Sequence, residues 1–380
     1  MKFVIAVDSF KGSLSAKEVT GAVHEALTET LVDAEVVGIP ISDGGEGMAD
    51  VLIEGLGGRY HNVNVVDALM RPMPLRLGSI EGCAVIEVAS VIGLSMLDES
   101  ERNPMTTTSY GVGLLIRAAL DLGYKRIMIG LGGTSTNDAG LGMMQALGMR
   151  CYNAQGMVMR DGITGADLVN VAHFDLSQLR HKFDGVELLI ACDVQNPLYG
   201  NSGAAHIYAQ QKGASREDIA TLDSGLRRVN NVWKRCCGLS VGSLRGAGAA
   251  GGIGAAFAAL LGCKLHSGID MVLDMIKFDE KIIDADWVIT GEGSIDSQSL
   301  MGKVMSGVLV RTLRNNIPLL AIGGKVINKR SIIKAGVKEV LEVSSRAISD
   351  EEAMRPEVAI SSIKIALKSW VEQWNCDVDL

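Results

Sequence analysis

"KFVIAVDSFKGSLSAKEVTGAVHEALTE", Lys2 to Glu29, decides the fold. The opening "KFVIAV" shows no alternation of apolar and polar residues, the pattern of a strand covered on both faces. From Ser15 the period changes. Ser15 stands where a helix cap belongs and Glu18 three residues later completes a capping box. Val19, Val23, Ala26 and Leu27 then recur at helical spacing. Between strand and helix lies "DSFKGS". A turn alone requires Gly or Asn and little else, so Asp8 and Lys11 exceed what the turn needs. A charged ligand held at the strand's exit accounts for the excess.

The same rhythm of strand, glycine loop and helix runs outward along the chain. "AEVVGIPIS" leads to "DGGEG" and a short helix through "MADVLIEGL"; "KRIMIG" leads to "LGGTSTNDAG" and "LGMMQALG". "VELLIA" feeds "CDVQNPLYGNSG", "DWVIT" feeds "GEGSIDSQSLMGK", and "IPLLAIGG" and "VKEVLEVS" alternate with helical segments to the C terminus. Strands alternating with helices imply right-handed crossovers and a largely parallel sheet. Acids and glycines collect just after the strands, the end at which open α/β sheets bind ligands. No fixed-period repeat or low-complexity linker marks a domain border, and "NVNVVDALMRPMPLRLG" and "LDMIKFDEKIIDADW" are the candidate boundaries.

Composition narrows the function. The 380 residues suffice for roughly two domains. Hydrophobic residues make up 47% and Gly reaches 45, while aromatics are only 4%, a mixture suited to an α/β enzyme with many loops. Net charge is −8 and no Lys/Arg cluster interleaves with aromatics, which argues against a nucleic-acid partner. Seven Cys, odd in number and without a CxxC pair, read as reduced thiols and point to the cytosol. "MKFVIAVDSF" is too short an apolar run for a signal-peptide core, so the mature chain is expected to begin near Met1. "GAGAAGGIGAAFAALLGC", Gly246 to Cys263, is uncharged but mostly Gly and Ala, and reads as a close-packed soluble helix rather than a membrane span.

Several motifs carry chemistry. In "DGGEG" paired glycines let Asp43 and Glu46 face one space, which suits a hard divalent cation; a solvated turn is the plainer reading. "GLGGTSTNDAGLG" offers amides and the hydroxyls of Thr134, Ser135 and Thr136, with Asp138 near a helix start, a composition suited to phosphate. Asp193 and Asn196 follow a strand, and Lys212 ends a helix where it serves either an anion or the helix dipole. Glu292 and Asp296 repeat the theme. No P-loop, HExxH or GxSxG occurs. Gly246, Gly248 and Gly251 match GxGxxG, but the preceding "CCGLSVGSL" is a poor strand, and small residues for close helix packing explain them better. Glycine-flanked acids and a few lysines without a reactive Cys or His ensemble fit phosphoryl transfer, which needs positioning and charge neutralisation above all.

"DSFKGSLSA", "DGGEG", "GGTSTNDAG", "CDVQNPL", "QKGAS", "GAGAAGG" and "TGEGSIDSQ", in that order, resemble the bacterial glycerate kinase family. The resemblance implies ATP-dependent phosphorylation of D-glycerate with Mg²⁺, at C2 rather than C3. It also implies two α/β domains: a flavodoxin-like parallel-sheet domain from both chain ends, residues 1–61 plus 286–380, and an inserted α/β domain, residues 62–285, with the substrate cleft between them. On this basis Asp8, Lys11 and Asp193 are the expected catalytic residues, with Asp8 or Asp193 taking the hydroxyl proton. Arg102, Lys212, Asn196 and Asn137 are expected at the substrate, Arg102 gripping its carboxylate bidentately. Gly132, Gly133, Thr134, Ser135, Glu292 and Gly293 are expected at the phosphates and nucleotide, and Asp43, Glu46 and Asp296 at the metal. The chain departs from the family's commonest pattern at Val7, where proline is usual, at Ser294, where a basic residue is usual, and in "YAQQKGAS". Ser294 withdraws one phosphate or carboxylate contact. Two rival readings are a dinucleotide-dependent oxidoreductase built on Gly246, Gly248 and Gly251, and a nucleotide sensor without turnover. No membrane partner is expected, and oligomeric state is not legible.

Overall fold

The computed structural model describes residues 1–42, 47–300, 303–344 and 348–378. The chain forms two compact units. The first comprises Met1–Asp43, Glu54–Leu56 and Ile269–Leu380, and the second Gly44–Ile53 and Gly57–Gly268. The chain thus changes unit between residues 43 and 57 and at 268/269, where the sequence reading expects 61/62 and 285/286.

In the first unit five strands form one sheet, in the spatial order Glu339–Glu342, Leu319–Val326, Trp287–Ile295, Lys2–Val7, Glu35–Pro40. Every neighbouring pair is parallel. Numbered along the unit, the order is 2-1-3-4-5, that of flavodoxin-like sheets. Phe3 to Val7 are all 0% exposed, so this strand is covered on both faces as its unbroken apolar run demands. The helix Ala16–Thr30 starts at the expected box: the Glu18 carboxylate accepts from the Ser15 amide at 2.8 Å, and the Glu18 amide donates to Ser15 Oγ at 3.3 Å. Val19, Val23, Ala26 and Leu27 are buried against Ile363, Leu367 and Val371 of the helix Pro356–Val378. Trp370 of that helix meets Trp287 edge-on at 5.2 Å, and its indole N–H donates to Glu339. On the helix Val304–Arg314, buried Arg311 is held by Asp270, Asp274 and Asp279.

The second unit carries a six-stranded sheet ordered Leu265–His266, Glu187–Ala191, Arg126–Gly130, Cys83–Glu87, Pro72–Ile80, Arg59–Val66. Neighbours are parallel as far as Cys83–Glu87, and the last two pairings are antiparallel. The expectation of strand–helix alternation therefore fails at one edge. "NVNVVDALMRPMPLRLG", read as a possible linker, is a hairpin whose turn is pinned by Asp67. The carboxylate of Asp67 accepts from the Leu69 and Arg71 amides and pairs with the Arg71 guanidinium. A separate antiparallel pair, Arg150–Asn153 with Val171–Asp175, packs with Leu222, Leu226, Val229 and Trp233 of the helix Arg216–Cys237.

The "GAGAAGG" stretch is not one helix. Ala250, Gly251 and Gly252 have φ of 51°, 64° and 100°, and the helix proper runs Ile253–Leu261. No helix among the described residues is long and apolar enough to cross a membrane.

Candidate active site

In the first unit the chain leaves the sheet centre in opposite directions from Lys2–Val7 and Trp287–Ile295, whose register pairs Val7 with Gly291. Where strand order reverses, the loops after the two strands part and leave a crevice, the usual ligand position in such sheets. A cavity of ≈ 790 Å³ lies there. The predicted residues Asp8, Lys11, Glu292, Gly293 and Asp296 all line it. Asp8 holds its loop by accepting from the Ser9 amide at 2.7 Å, while its own amide donates to the Gly291 carbonyl at 2.9 Å. Gly293 keeps this part thin, since a β-carbon there would lie 3.4 Å from the Lys11 amide nitrogen. Burial pushes the Glu292 carboxyl upward, against the opposing pull of the Ser299 hydroxyl and the ammonium groups of Lys303 and Lys11. Its Oε1 is buried and has no hydrogen-bond partner.

Sequence reading did not assign Lys303, Lys325, Ser344, Met354 or Ser362 to this cavity. Lys303 and Lys325 each follow a glycine, Lys325 in the last residues of its strand and Lys303 after the loop that leaves strand Trp287–Ile295, a signal that becomes specific only once the parallel sheet places those ends side by side.

The second unit gathers a different set. The loop after strand Arg126–Gly130 runs under Lys212, whose buried ammonium donates to Thr134 Oγ1 at 3.1 Å and to the Thr136 carbonyl at 2.7 Å. Burial lowers the Lys212 pKa to about 8, opposed by the charge of Asp138. Asp138, fully buried, accepts from Ser109 N and Oγ at 2.7 Å each, from Gly140 N at 3.0 Å and from Gly142 N at 3.3 Å. Burial raises its pKa and these donors oppose the rise. The amides at the start of the short helix Leu141–Ala146 are thus occupied by Asp138, and Met143 N donates to Ser109 Oγ. They are not open to an anion. Ser135 is also turned inward, its hydroxyl donating to the Ile92 carbonyl at 2.9 Å. Gly133 is exposed and Gly132 half-buried. Asn137 differs from its neighbours: it is 1% exposed, and neither its Oδ1 nor its Nδ2 has a partner, nor has Thr136 Oγ1. Buried polar groups left unpaired cost on the order of 1–3 kcal/mol each and gather at functional sites.

Arg102 lies against this cluster. A β-carbon at Gly213, next to Lys212, would stand 1.9 Å from the Arg102 carbonyl oxygen, and the Arg102 Nε donates to Leu97 O at 3.3 Å. Asn196 is committed to its own loop, donating to Ser202 O at 2.9 Å and accepting from Tyr208 OH at 2.6 Å. Asp193 is exposed and accepts from Gly268 N at 2.8 Å. Asp43 and Glu46 lie outside the described residues. Just beyond them, the Gly47 and Ala49 amides at the start of the helix Met48–Leu56 donate to Glu87, a carboxylate the sequence reading passed over although it too ends an apolar strand.

The GxGxxG glycines are filled by the protein itself. A β-carbon at Gly251 would sit 2.1 Å from Thr136 O, at Gly248 2.4 Å from Pro197 O, and at Gly246 2.9 Å from Cys192 Sγ. They serve close packing and leave no face for a pyrophosphate.

Known proteins resemble this chain over nearly its full length. A sequence model of the glycerate kinase family matches residues 3–374. A glycerate kinase from Haemophilus influenzae is 43% identical over 85% of this chain and 86% of its own length. A glycerate kinase from Bacillus cereus is 39% identical over 99% and 98%. An Escherichia coli protein named glycerate 2-kinase is 40% identical over 93% of each. A crystal structure from Salmonella typhimurium LT2, provisionally named glycerate kinase 2, superposes with a TM-score of 0.87 over the whole of both chains at 38% identity. An α/β phosphotransferase is the class that fold and matches define. The chain belongs to the glycerate kinase family.

Proposed function

We propose that the protein transfers the γ-phosphoryl group of ATP to the C2 hydroxyl of D-glycerate, giving 2-phosphoglycerate. The observation that carries this reading is the cavity at the switch point of the first sheet, where Lys11, Lys303 and Lys325 meet Asp8, Glu292 and Asp296. Phosphoryl transfer asks for charge neutralisation and positioning more than for covalent machinery. The lysines neutralise the polyphosphate, and Gly293 lets it approach the backbone.

Magnesium suits the same carboxylates. The ion is usually held by one or two carboxylates together with phosphate oxygens and water, and the orphaned, buried Glu292 oxygen with Asp296 nearby provides such a pair. Bound there, Mg²⁺ would offset the charge of the phosphoryl oxygens. Asp8, in the cavity wall, takes the hydroxyl proton; Asp193, which does not line that cavity, is the second choice.

In the second unit, Asn137 presents an unspent carboxamide to the acceptor and Arg102 its guanidinium to the carboxylate. Lys212 and Asn196 complete the acceptor set, acting through the loops they hold. In the loop after strand Arg126–Gly130, Gly132 and Gly133 offer the accessible backbone, and Thr134 and Ser135 shape it from within. The C2 assignment rests on the name of the Escherichia coli relative. A reducing, cytosolic setting suits the six described cysteines, all free thiols.

Phosphorus NMR of the product tests this reading. A C2 phosphate couples to one carbon-bound proton and gives a doublet, whereas a C3 phosphate couples to two and gives a triplet. A glycerate-dependent doublet supports the proposal; a triplet reassigns the hydroxyl, and no glycerate-dependent product overturns it in favour of a nucleotide sensor.

A further inference from the structure

The first unit's cavity has two chemically distinct ends. Lys11, Glu292, Asp296 and Lys303 gather at the first and third strands of the sheet. Toward the strand Glu339–Glu342 and the helix Pro356–Val378 the lining is mostly apolar, with Val343, Ile348, Ala353, Met354 and Ala359 beside Glu342. Met354, which lines this end, leaves 46% of its surface exposed. Its terminal methyl reaches back over the "DSFKGS" loop: a β-carbon at Gly12 would lie 2.8 Å from Met354 Cε. Val343 and Ala359 are each 7% exposed and give the floor a fixed shape.

A polyphosphate alone would fill only the lysine end. The two ends are separated by two strand spacings, about 10 Å, the reach of a ribose and its first phosphates. The volume of ≈ 790 Å³ lies within the range of sites that enclose a whole small ligand, roughly 300–1,000 Å³. Ser344 and Ser362 stand among the apolar residues, and each hydroxyl can donate or accept at the edge of a heteroaromatic ring.

We infer that the apolar end formed by Val343, Ile348, Met354 and Ala359 with Ser344 and Ser362 is the base subsite, which takes the flat heteroaromatic ring of the phosphoryl-donor nucleotide. The inference rests on the proposed donor cavity and adds where the base lies and what recognises it. None of these side chains belongs to the phosphate or metal set, and Ser362 can be altered without touching the loop that carries Asp8 and Lys11.

The test compares ADP with inorganic tripolyphosphate, which carries phosphates without a base, by titration calorimetry on the full chain in the presence of magnesium. Ser362→Trp, which fills the subsite, is expected to weaken ADP at least tenfold and leave tripolyphosphate within twofold of wild type. Met354→Ala, which removes the exposed apolar wall, is expected to weaken ADP about three- to tenfold and serves as the second variant if Ser362→Trp fails to fold. Photolabelling of the wild type with 8-azido-ATP should mark the peptide carrying Met354. Unchanged ADP affinity in both variants, equal losses for ADP and tripolyphosphate, or labelling confined to the second unit would each overturn the inference. These readouts are independent of glycerate turnover, so failure of the proposed reaction would be seen separately.

Discussion

The ammonium of Lys212 donates to the Thr136 carbonyl at 2.7 Å, fixing a buried positive charge beneath the loop that carries Asn137. The same nitrogen reaches Thr134 Oγ1, and the nearest opposing charge is Asp138. Lys212→Met removes both hydrogen bonds of the ammonium and leaves the Thr136 carbonyl without that donor, which costs about 1–3 kcal/mol. Urea denaturation should show that loss, and glycerate KM should rise with it because Thr136 and Asn137 lose their anchor. Wild-type stability in the variant would remove Lys212 from this role.

The depressed pKa of Lys212 has a pH signature. Below about 8 the amine is protonated in both folded and unfolded chains and the full cost of burying the charge is borne. Between about 8 and the ordinary lysine value of 10.5, the unfolded chain holds the proton and the folded chain releases it. Stability therefore rises with pH through that window. The stability of wild type relative to Lys212→Met should increase from pH 8 to pH 10 in paired denaturation curves; a decrease would mean the amine is not depressed.

Gly251 and Gly82 both have positive φ, 64° and 77°, but their surroundings differ. A β-carbon at Gly251 would strike Thr136 O at 2.1 Å, while at Gly82 nothing lies within 4 Å. Gly82→Ala should cost only the backbone penalty, about 1 kcal/mol. Gly251→Ala should cost at least about 3 kcal/mol and displace the Thr136–Asn137 loop, adding backbone collision to strain. Thermal melts of the two variants decide it; equal losses would show that the "GAGAAGG" turn is not packed on that loop.

Arg311 predicts an asymmetry. Its side chain is 11% exposed, whereas those of Asp274 and Asp279 are 68% and 49% exposed. Arg311→Met releases carboxylates that water can solvate and should cost about 1 kcal/mol or less. Asp274→Ala with Asp279→Ala leaves the buried guanidinium only the longer contact to Asp270, at 3.7 Å, and should cost about 3 kcal/mol. Chemical denaturation of both should rank them in that order, and the reverse ranking would contradict the burial argument.

How far these features could be read in advance depended on range. The first strand and helix were legible because a buried apolar run, a Ser15–Glu18 box and a 3.6-residue stripe are all local signals. Asp8, Lys11, Glu292 and Asp296 were legible as charges stranded at strand ends. The Arg59–Val66 and Pro72–Ile80 hairpin was not, because Pro72 and Pro74 look like linker residues. The strand accommodates them because it pairs with Cys83–Val85 only over Gly78–Ile80, leaving its first part open on that side. Lys325, Met354 and Ser362 were not placed with Asp8 because they meet it only through the folding together of segments far apart in sequence. The inward turn of Ser135 and the occupation of the Leu141 helix start by Asp138 are packing outcomes that a hydroxyl-rich loop does not announce.

The central claim is that the phosphoryl donor sits on the C-terminal edge of the first unit's sheet, gripped by Lys11 and Lys303. Titration of a non-hydrolysable ATP analogue with magnesium into wild type, Lys11→Met and Lys303→Met measures that grip directly. The account predicts at least tenfold weaker binding in each folded variant, about 1.4 kcal/mol or more. Wild-type affinity in both variants would contradict it.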